Sequence, residues 1–145
     1  MYQKLSHRSL LMVAGLAMVA SMMALPATSQ SRVPSQDYFR DVTALAEVLG
    51  KAHAIRVTCN GANDQYWRSY MLRLLELEAP YQGGLRRSLV NGFNAGFSWG
   101  GDLHPVCDGN AVNAEKAYAA EGRDLSAKLV QANIPGAIPL AARER

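Results

Sequence analysis

Hydrophobic positions recur at intervals of three or four residues in four segments of the chain, which is the spacing of one face of an α-helix. The first segment starts after Ser35, a residue type that caps helices, and continues through Arg56. The second has Asn63 or Asp64 as its cap and ends at Pro80. The apolar positions of these two predicted helices are Tyr38, Val42, Leu45, Leu49 and Ala52, then Trp67, Tyr70, Met71, Leu74 and Leu75.

The glycine-rich segment NGFNAGFSWGG, residues 91–101, fits either a helix or a hairpin that turns at Asn91-Gly92. On a helical wheel that begins at Leu85, its apolar and small residues share one arc and its polar residues take the opposite side. A hairpin would lack clean alternation, so we predict a third helix. The spacing of Gly92, Gly96 and Gly100 favours close packing of a neighbouring helix, with a ligand groove as the alternative.

A loop from Asp102 to Cys107 precedes the last predicted helix, which Asp108 or Asn110 can cap. Its apolar face consists of Ala111, Ala114, Tyr118, Gly122, Leu125 and Leu129. Short connections place consecutive helices antiparallel, so we predict an all-α fold, an up-down four-helix bundle. We predict a single helical domain over residues 30–134 and a flexible C-terminal tail over residues 135–145.

The first 29 residues have the order of a secretory signal peptide. Lys4 and Arg8 precede an apolar run, and small residues follow it, so we predict cleavage near Ala27 to Ser29. An uncleaved anchor is the alternative, but the apolar run is shorter than the roughly 20 residues that span a bilayer. We therefore expect an exported protein that meets the membrane only through this transient segment.

Removal of the signal peptide changes the charge of the protein. The segment holds two of the 15 basic side chains and none of the 12 acidic ones, so the mature protein is nearly neutral. No run of Lys and Arg survives to form a nucleic-acid footprint, so we expect no nucleic-acid partner. We also expect no cofactor, since the sequence shows no motif that would bind one.

Both cysteines, Cys59 and Cys107, belong to the exported part, where an oxidising compartment favours a disulfide. In the predicted topology they lie at the same end of the bundle, so one bridge would staple it. The alternative is a zinc site in which His53 and His104 join the two cysteines. The wide and irregular spacing of these four residues favours the disulfide, and we predict no metal site.

Near this disulfide, helical spacing places His53 and Arg56 on the apolar face of the first helix. A buried guanidinium is costly unless paired, and Asp64 is the nearest candidate partner in sequence. The neighbours expected at this end are Trp67, Arg68, Trp99, Asp102 and His104. Two interpretations stay open: a structural network that closes the bundle end, and a binding site.

Catalytic residues are few. His53 or His104 could serve as a base oriented by Asp64 or Asp102, but no serine lies in a G-x-S-x-G elbow and the cysteines are expected to be bonded. We assign no catalytic residue. The sequence favours a protein without enzymatic activity, but it leaves the question open.

Several stretches of the sequence resemble a family of small exported alphaproteobacterial proteins that is known only as a domain of unknown function. The stretches are LAEVLGKAHAIRVTC, YWRSYMLRLLELEAP and FNAGF, with Cys107 ahead of the last helix. The most specific elements are the cysteines, Trp67-Arg68 with Met71, and Phe93-Asn94 with Gly96, so Phe93, Asn94 and Gly96 join the candidate interaction residues. The resemblance implies a helical periplasmic protein and supplies no reaction or ligand.

Export, a near-neutral surface and a set of aromatic and arginine residues are typical of a protein that binds a partner. We therefore expect a periplasmic, non-enzymatic protein that binds another cell-envelope component, with the disulfide end or the glycine groove as its contact surface. An envelope enzyme or enzyme regulator that acts on cell-wall polymer is one alternative. A periplasmic stress chaperone is another, and the sequence does not indicate the oligomeric state.

Overall fold

The computed structural model describes residues 34–133, and the predicted signal peptide and C-terminal tail lie outside these residues. The described part is all-α, as predicted, and contains the helices α1 (Gln36–Asn60), α2 (Tyr66–Glu78), α3 (Gly84–Leu103) and α4 (Gly109–Asn133). The glycine-rich segment is therefore a helix and not a hairpin. Within residues 34–133, none of the helices has both the length and the apolar character needed to cross a membrane.

Capping residues set several of the helix ends. The Ser35 hydroxyl accepts a hydrogen bond of 3.2 Å from the Tyr38 N–H at the start of α1, and Asp108 accepts one of 2.8 Å from the Ala111 N–H at the start of α4. α1 continues to Asn60, four residues beyond the predicted end at Arg56. The helix stops only at Gly61, whose φ of 92° suits glycine.

α1 is the central helix of the bundle, and α2, α3 and α4 each pack against it. Its apolar and small residues are buried over most of its circumference, because three helices pack against it, and Glu47 and Lys51 lie on a side that is only half-buried. The buried side chains of α1 are Tyr38, Val42, Leu45, Ala46, Val48, Leu49, Ala52, His53, Ala54 and Ile55.

The contacts of α1 fix the direction of every other helix. Along α3, Gly92 lies next to Thr43 and Gly100 next to Lys51, so α1 and α3 run parallel. Tyr38 at the start of α1 hydrogen-bonds to Glu78 at the end of α2 and to Asn133 at the end of α4. These two helices therefore run antiparallel to α1, and the up-down four-helix order is confirmed.

α1 and α3 meet backbone to backbone through their glycines. A Cβ atom added at Gly50 would lie 2.8 Å from the backbone nitrogen of Phe97, and one added at Gly96 would lie 2.9 Å from the carbonyl carbon of Glu47. Only glycine fits at such separations. The groove formed by the glycines of α3 is thus filled by α1, which supports the packing interpretation and leaves the groove closed to a partner.

The predicted disulfide joins Cys59 near the end of α1 to Cys107 just before α4, with a Cα–Cα separation of 4.9 Å. It ties the two helices together at the end of the bundle where the α1–α2 loop also lies. Because the sulfur atoms are bonded to each other, they do not form the alternative zinc site.

Candidate functional site

The side chains at the disulfide end are organised around Arg56. Its guanidinium contacts both carboxylate oxygens of Asp64, with Nε at 3.0 and 2.9 Å and Nη2 at 2.7 Å. Asp64 also accepts hydrogen bonds from the side chain of Asn60 at 2.7 Å and from the Tyr66 N–H at 3.0 Å. The pairing of Arg56 with Asp64 that the sequence suggested is present. The predicted cap of α2 at Asn63 or Asp64 is wrong, since Gln65 takes the cap position without a side-chain hydrogen bond. The Asp64 carboxylate still anchors the start of α2 through the Tyr66 N–H.

A second carboxylate connects this pair to α4. Glu115 accepts a hydrogen bond of 2.8 Å from the indole N–H of Trp67, and its Oε1 lies 3.5 Å from Nη1 of Arg56. Side chains of α1, α2 and α4 therefore meet in one network. We call Arg56, Asp64, Trp67 and Glu115 the disulfide-end network.

Aromatic rings of α2 cover the outside of this network. Tyr66 lies over the Arg56 guanidinium, with 4.7 Å between Cζ and the ring centroid, and it packs against Trp67 and Tyr70 at centroid distances of 4.9 and 5.4 Å. Tyr66 is 48% exposed and Tyr70 is 50% exposed. We call Tyr66, Trp67 and Tyr70 the aromatic surface of α2.

The charges of the network have a clear electrostatic consequence. The hydrogen bond from Arg56, with those from the Tyr66 N–H and Asn60, holds the pKa of the Asp64 carboxyl far below its usual range. The hydrogen bond to the Asp64 carboxylate likewise raises the pKa of the Arg56 guanidinium. Both groups are thus ionised throughout the physiological range, which suits a structural role and not proton transfer.

His53 is buried, with only 6% of its surface exposed. Its imidazole packs against Phe93 and Phe97 at ring-centroid distances of 5.7 and 5.4 Å, and its Nδ1 has no hydrogen-bond partner among residues 34–133. Burial, assisted by the positive charge of Arg68 and opposed by Asp64, lowers the pKa of His53. The imidazole is therefore neutral at pH 7.

The remaining predicted site residues do not join the network. Arg68 is exposed and donates a hydrogen bond of 3.1 Å to Gln65. Asn94 is exposed, Asp102 is also exposed, and Gly96 belongs to the contact between α1 and α3. His104 ends α3, half-buried, and its buried Nε2 finds no partner in the described part of the chain.

Trp99 lies on another side of α1. The Lys51 ammonium lies 4.9 Å from the centroid of its ring, and the Tyr118 ring packs edge-on at 6.4 Å. Lys51 is also paired with Glu47 at 2.7 Å. The two tryptophans, which we expected at one site, therefore contact different residues.

Sequence reasoning missed Glu115, Tyr66 and Lys51. Glu115 follows the buried Ala111 by four residues, so it lies on the inward side of α4, and a charge at that position was a detectable signal. Tyr66 and Lys51 gave no such signal, because their partners Arg56 and Trp99 are brought to them only by the packing of the helices.

In chemical terms, this end of the molecule presents aromatic rings that are held rigidly by satisfied charges. No group of three or more His, Cys, Asp or Glu side chains suited to a metal ion occurs among the residues that the structure describes.

Comparison with known proteins gives one match. The sequence model of a family described as "Protein of unknown function (DUF2385)" matches residues 37–133. No curated protein and no solved structure matches the chain.

Proposed function

The chain belongs to DUF2385, a family of proteins of unknown function, and we propose that it is an exported helical protein of the periplasm that binds another cell-envelope component without catalysing a reaction. The proposal includes the signal peptide at residues 1–29, an alphaproteobacterial source, and the motifs at Trp67-Arg68 and Phe93-Asn94 as features of the family.

The observation that carries the proposal is the aromatic surface of α2. Tyr66 and Tyr70 leave about half of their surface in water, although aromatic rings are costly to expose. Tyrosine, tryptophan and arginine are enriched among the few residues that carry most of the binding energy at protein interfaces. An exposed aromatic surface beside an arginine is therefore a suitable binding surface.

The disulfide-end network makes this surface rigid before a partner binds. Arg56 supports one face of Tyr66, Trp67 is hydrogen-bonded to Glu115, and Asp64 fixes the start of α2. A surface whose side chains are already ordered loses little conformational entropy on binding. Side chains that are ordered in advance are useful at a binding interface, whereas a helix that faces only water does not need them.

The alternative of an envelope enzyme or enzyme regulator receives less support. Its acid–base groups were His53, Asp64 and His104. Asp64 is paired with Arg56 and has a pKa far below neutrality, and His53 is buried against two phenylalanine rings. Neither arrangement favours proton transfer to a bound polymer at neutral pH.

The test is site-specific photocrosslinking in intact cells. A photoreactive amino acid replaces Tyr70, which is 50% exposed, or Leu72, which is 52% exposed and lies on another side of the same helix. We expect mass spectrometry to identify a specific envelope component attached to position 70 and absent from position 72.

Equal adducts at both positions, or none at either, would overturn the proposal that this surface binds a partner. Once the component is known, its affinity is measured for the single variants Tyr66→Ala and Tyr70→Ala. We expect loss of about 2 kcal/mol or more of binding energy at one of the two positions, whereas Leu72→Ala should bind like the wild type.

A further inference from the structure

His53 is the one polar or charged side chain that is buried among residues 34–133. It lies on α1, and two α3 rings, Phe93 and Phe97, pack against it. Buried polar atoms are normally hydrogen-bonded, but its Nδ1 has no partner in this part of the chain. The neutral imidazole therefore packs in the core in the way that an apolar ring would.

The charged groups around His53 come from α2 and from the α1–α2 loop. Arg68 of α2 acts against a positive imidazole, and Asp64 of the loop acts in its favour. The effect of Arg68 is the larger, and the carboxylate of Asp64 is already paired with Arg56. From α3, two phenylalanine rings pack against His53. The attraction between their faces and a positive imidazole is weak, and it does not replace the hydration that the charged ring would have in water.

Movement of α3 away from a charged His53 would be costly. The helices α1 and α3 are in backbone contact at Gly50 and Gly96, and separation would lose this close packing. α2 is the shortest helix and has the smallest contact with α1. The disulfide-end network fixes its start, but the rest of α2 has the least packing of the helices, so repulsion between an imidazolium and Arg68 acts first on this part.

We propose that His53 is a proton-sensitive lock for α2: uptake of a proton by its imidazole in mild acid loosens α2 from α1 and α3 and so rearranges the aromatic surface. The biological role of the lock rests on the proposed function, because the surface that it regulates is the proposed binding surface. The lock itself is a property of the isolated protein.

The direction of the pH dependence follows from linkage. Burial makes the pKa of His53 lower in the closed state than the ordinary 6.5 that applies once α2 is loosened. The closed state is therefore favoured fully above pH 6.5, and the preference is lost as the pH falls toward the lowered pKa. Since one proton is taken up, the ratio of open to closed molecules rises by at most about tenfold per pH unit.

The experiment follows the fluorescence of Trp67 between pH 8 and pH 5, in a Trp99→Phe background so that one tryptophan reports. Trp67 is on α2 and half-buried, so loosening should shift its emission to longer wavelength and increase the binding of an apolar dye. We expect a reversible transition in which about one proton is taken up, with the helical content retained.

His53→Gln and His53→Leu, one polar and one apolar, should each abolish this transition, and two variants guard against the failure of one to fold. His104→Gln is the matched control, because His104 is only half-buried, and it should keep the transition. A flat titration of the wild type, or a transition that persists in a folded His53 variant, would overturn the lock.

The crosslinking yield at position 70 is then compared at pH 7.5 and pH 5.5. A yield that changes in the wild type and is constant in His53→Gln supports regulation of binding. A fluorescence transition without any crosslinked component contradicts the proposed binding function and leaves the lock supported. A crosslinked component whose yield is independent of pH contradicts the regulation alone.

Discussion

Replacement of Gly96 by alanine tests whether the backbone contact between α1 and α3 determines the stability of the fold. The added Cβ would lie 2.9 Å from the carbonyl carbon and 3.2 Å from the Cα of Glu47. These atoms belong to the backbone of a helix, so they cannot move aside as a flexible side chain could. The two helices must therefore separate.

Two opposing effects set the magnitude. Alanine is favoured over glycine in a helix by about 1 kcal/mol. Overpacking of a well-packed core costs about 1 to 3 kcal/mol, and the cost lies at the upper end where backbone atoms must move. For Gly96→Ala we therefore expect a net loss of about 2 kcal/mol in the free energy of unfolding.

Gly101 provides the matched control, because it is in the same helix and a Cβ there meets nothing within 4 Å. Gly101→Ala should raise the free energy of unfolding by up to about 1 kcal/mol. At Gly92 the nearest atom is the Thr43 carbonyl oxygen at 3.2 Å, so Gly92→Ala should fall between the two.

Urea unfolding of the oxidised protein measures these differences. With a slope of about 1.5 kcal/mol per M, the midpoint of Gly96→Ala should fall by roughly 1.3 M while the slope stays constant. A Gly96→Ala protein as stable as Gly101→Ala would refute the argument, because the contact of the two backbones would then have no energetic consequence.

Three further predictions concern the disulfide, a helix cap and the central ion pair. Replacement of Cys59 and Cys107 by alanine should lower the free energy of unfolding by about 4 kcal/mol in chemical denaturation, since the bridge closes a loop over a sequence separation of 48 residues. Ser35→Ala should cost about 1 kcal/mol in thermal unfolding, because the N–H of Tyr38 loses its acceptor, whereas Ser35→Asn should be nearly neutral. Arg56→Ala should lower stability at pH 7 and flatten its acid dependence. In the wild type the lowered pKa of Asp64 stabilises the fold above about pH 4, and this contribution is lost as the pH falls below that value. An Arg56→Ala protein with unchanged stability and an unchanged acid profile would contradict the role of the pair.

The caps, the disulfide and one ion pair were accessible from the sequence because each depends on short-range chemistry. Ser35 and Asp108 act on N–H groups three residues away. Arg56 and Asp64 are eight residues apart, and the loop between α1 and α2 is short. Such contacts form with few possible alternatives, so residue type and spacing are sufficient to predict them.

The central position of α1 was not accessible in the same way. The apolar pattern from Tyr38 to Ala52 identifies one face, but the burial of Ala46, Gly50 and Ala54 comes from the close approach of α3. Small residues carry a weak hydrophobic signal, so their burial depends on the shape of a neighbouring helix. The contacts of Trp99 with Lys51 and Tyr118 likewise depend on the packing of α3 against α1 and α4.

By itself, the sequence determined that four helices form, that Ser35 and Asp108 cap α1 and α4, and which cysteines pair, because these features depend on residue type and on neighbours along the chain. Only the tertiary structure decided that α1 is enclosed by three helices, that Glu115 completes the network of Arg56 and Trp67, and that His53 is buried beside Phe93 and Phe97. Those contacts join residues from different helices, and their formation depends on how closely the backbones approach one another.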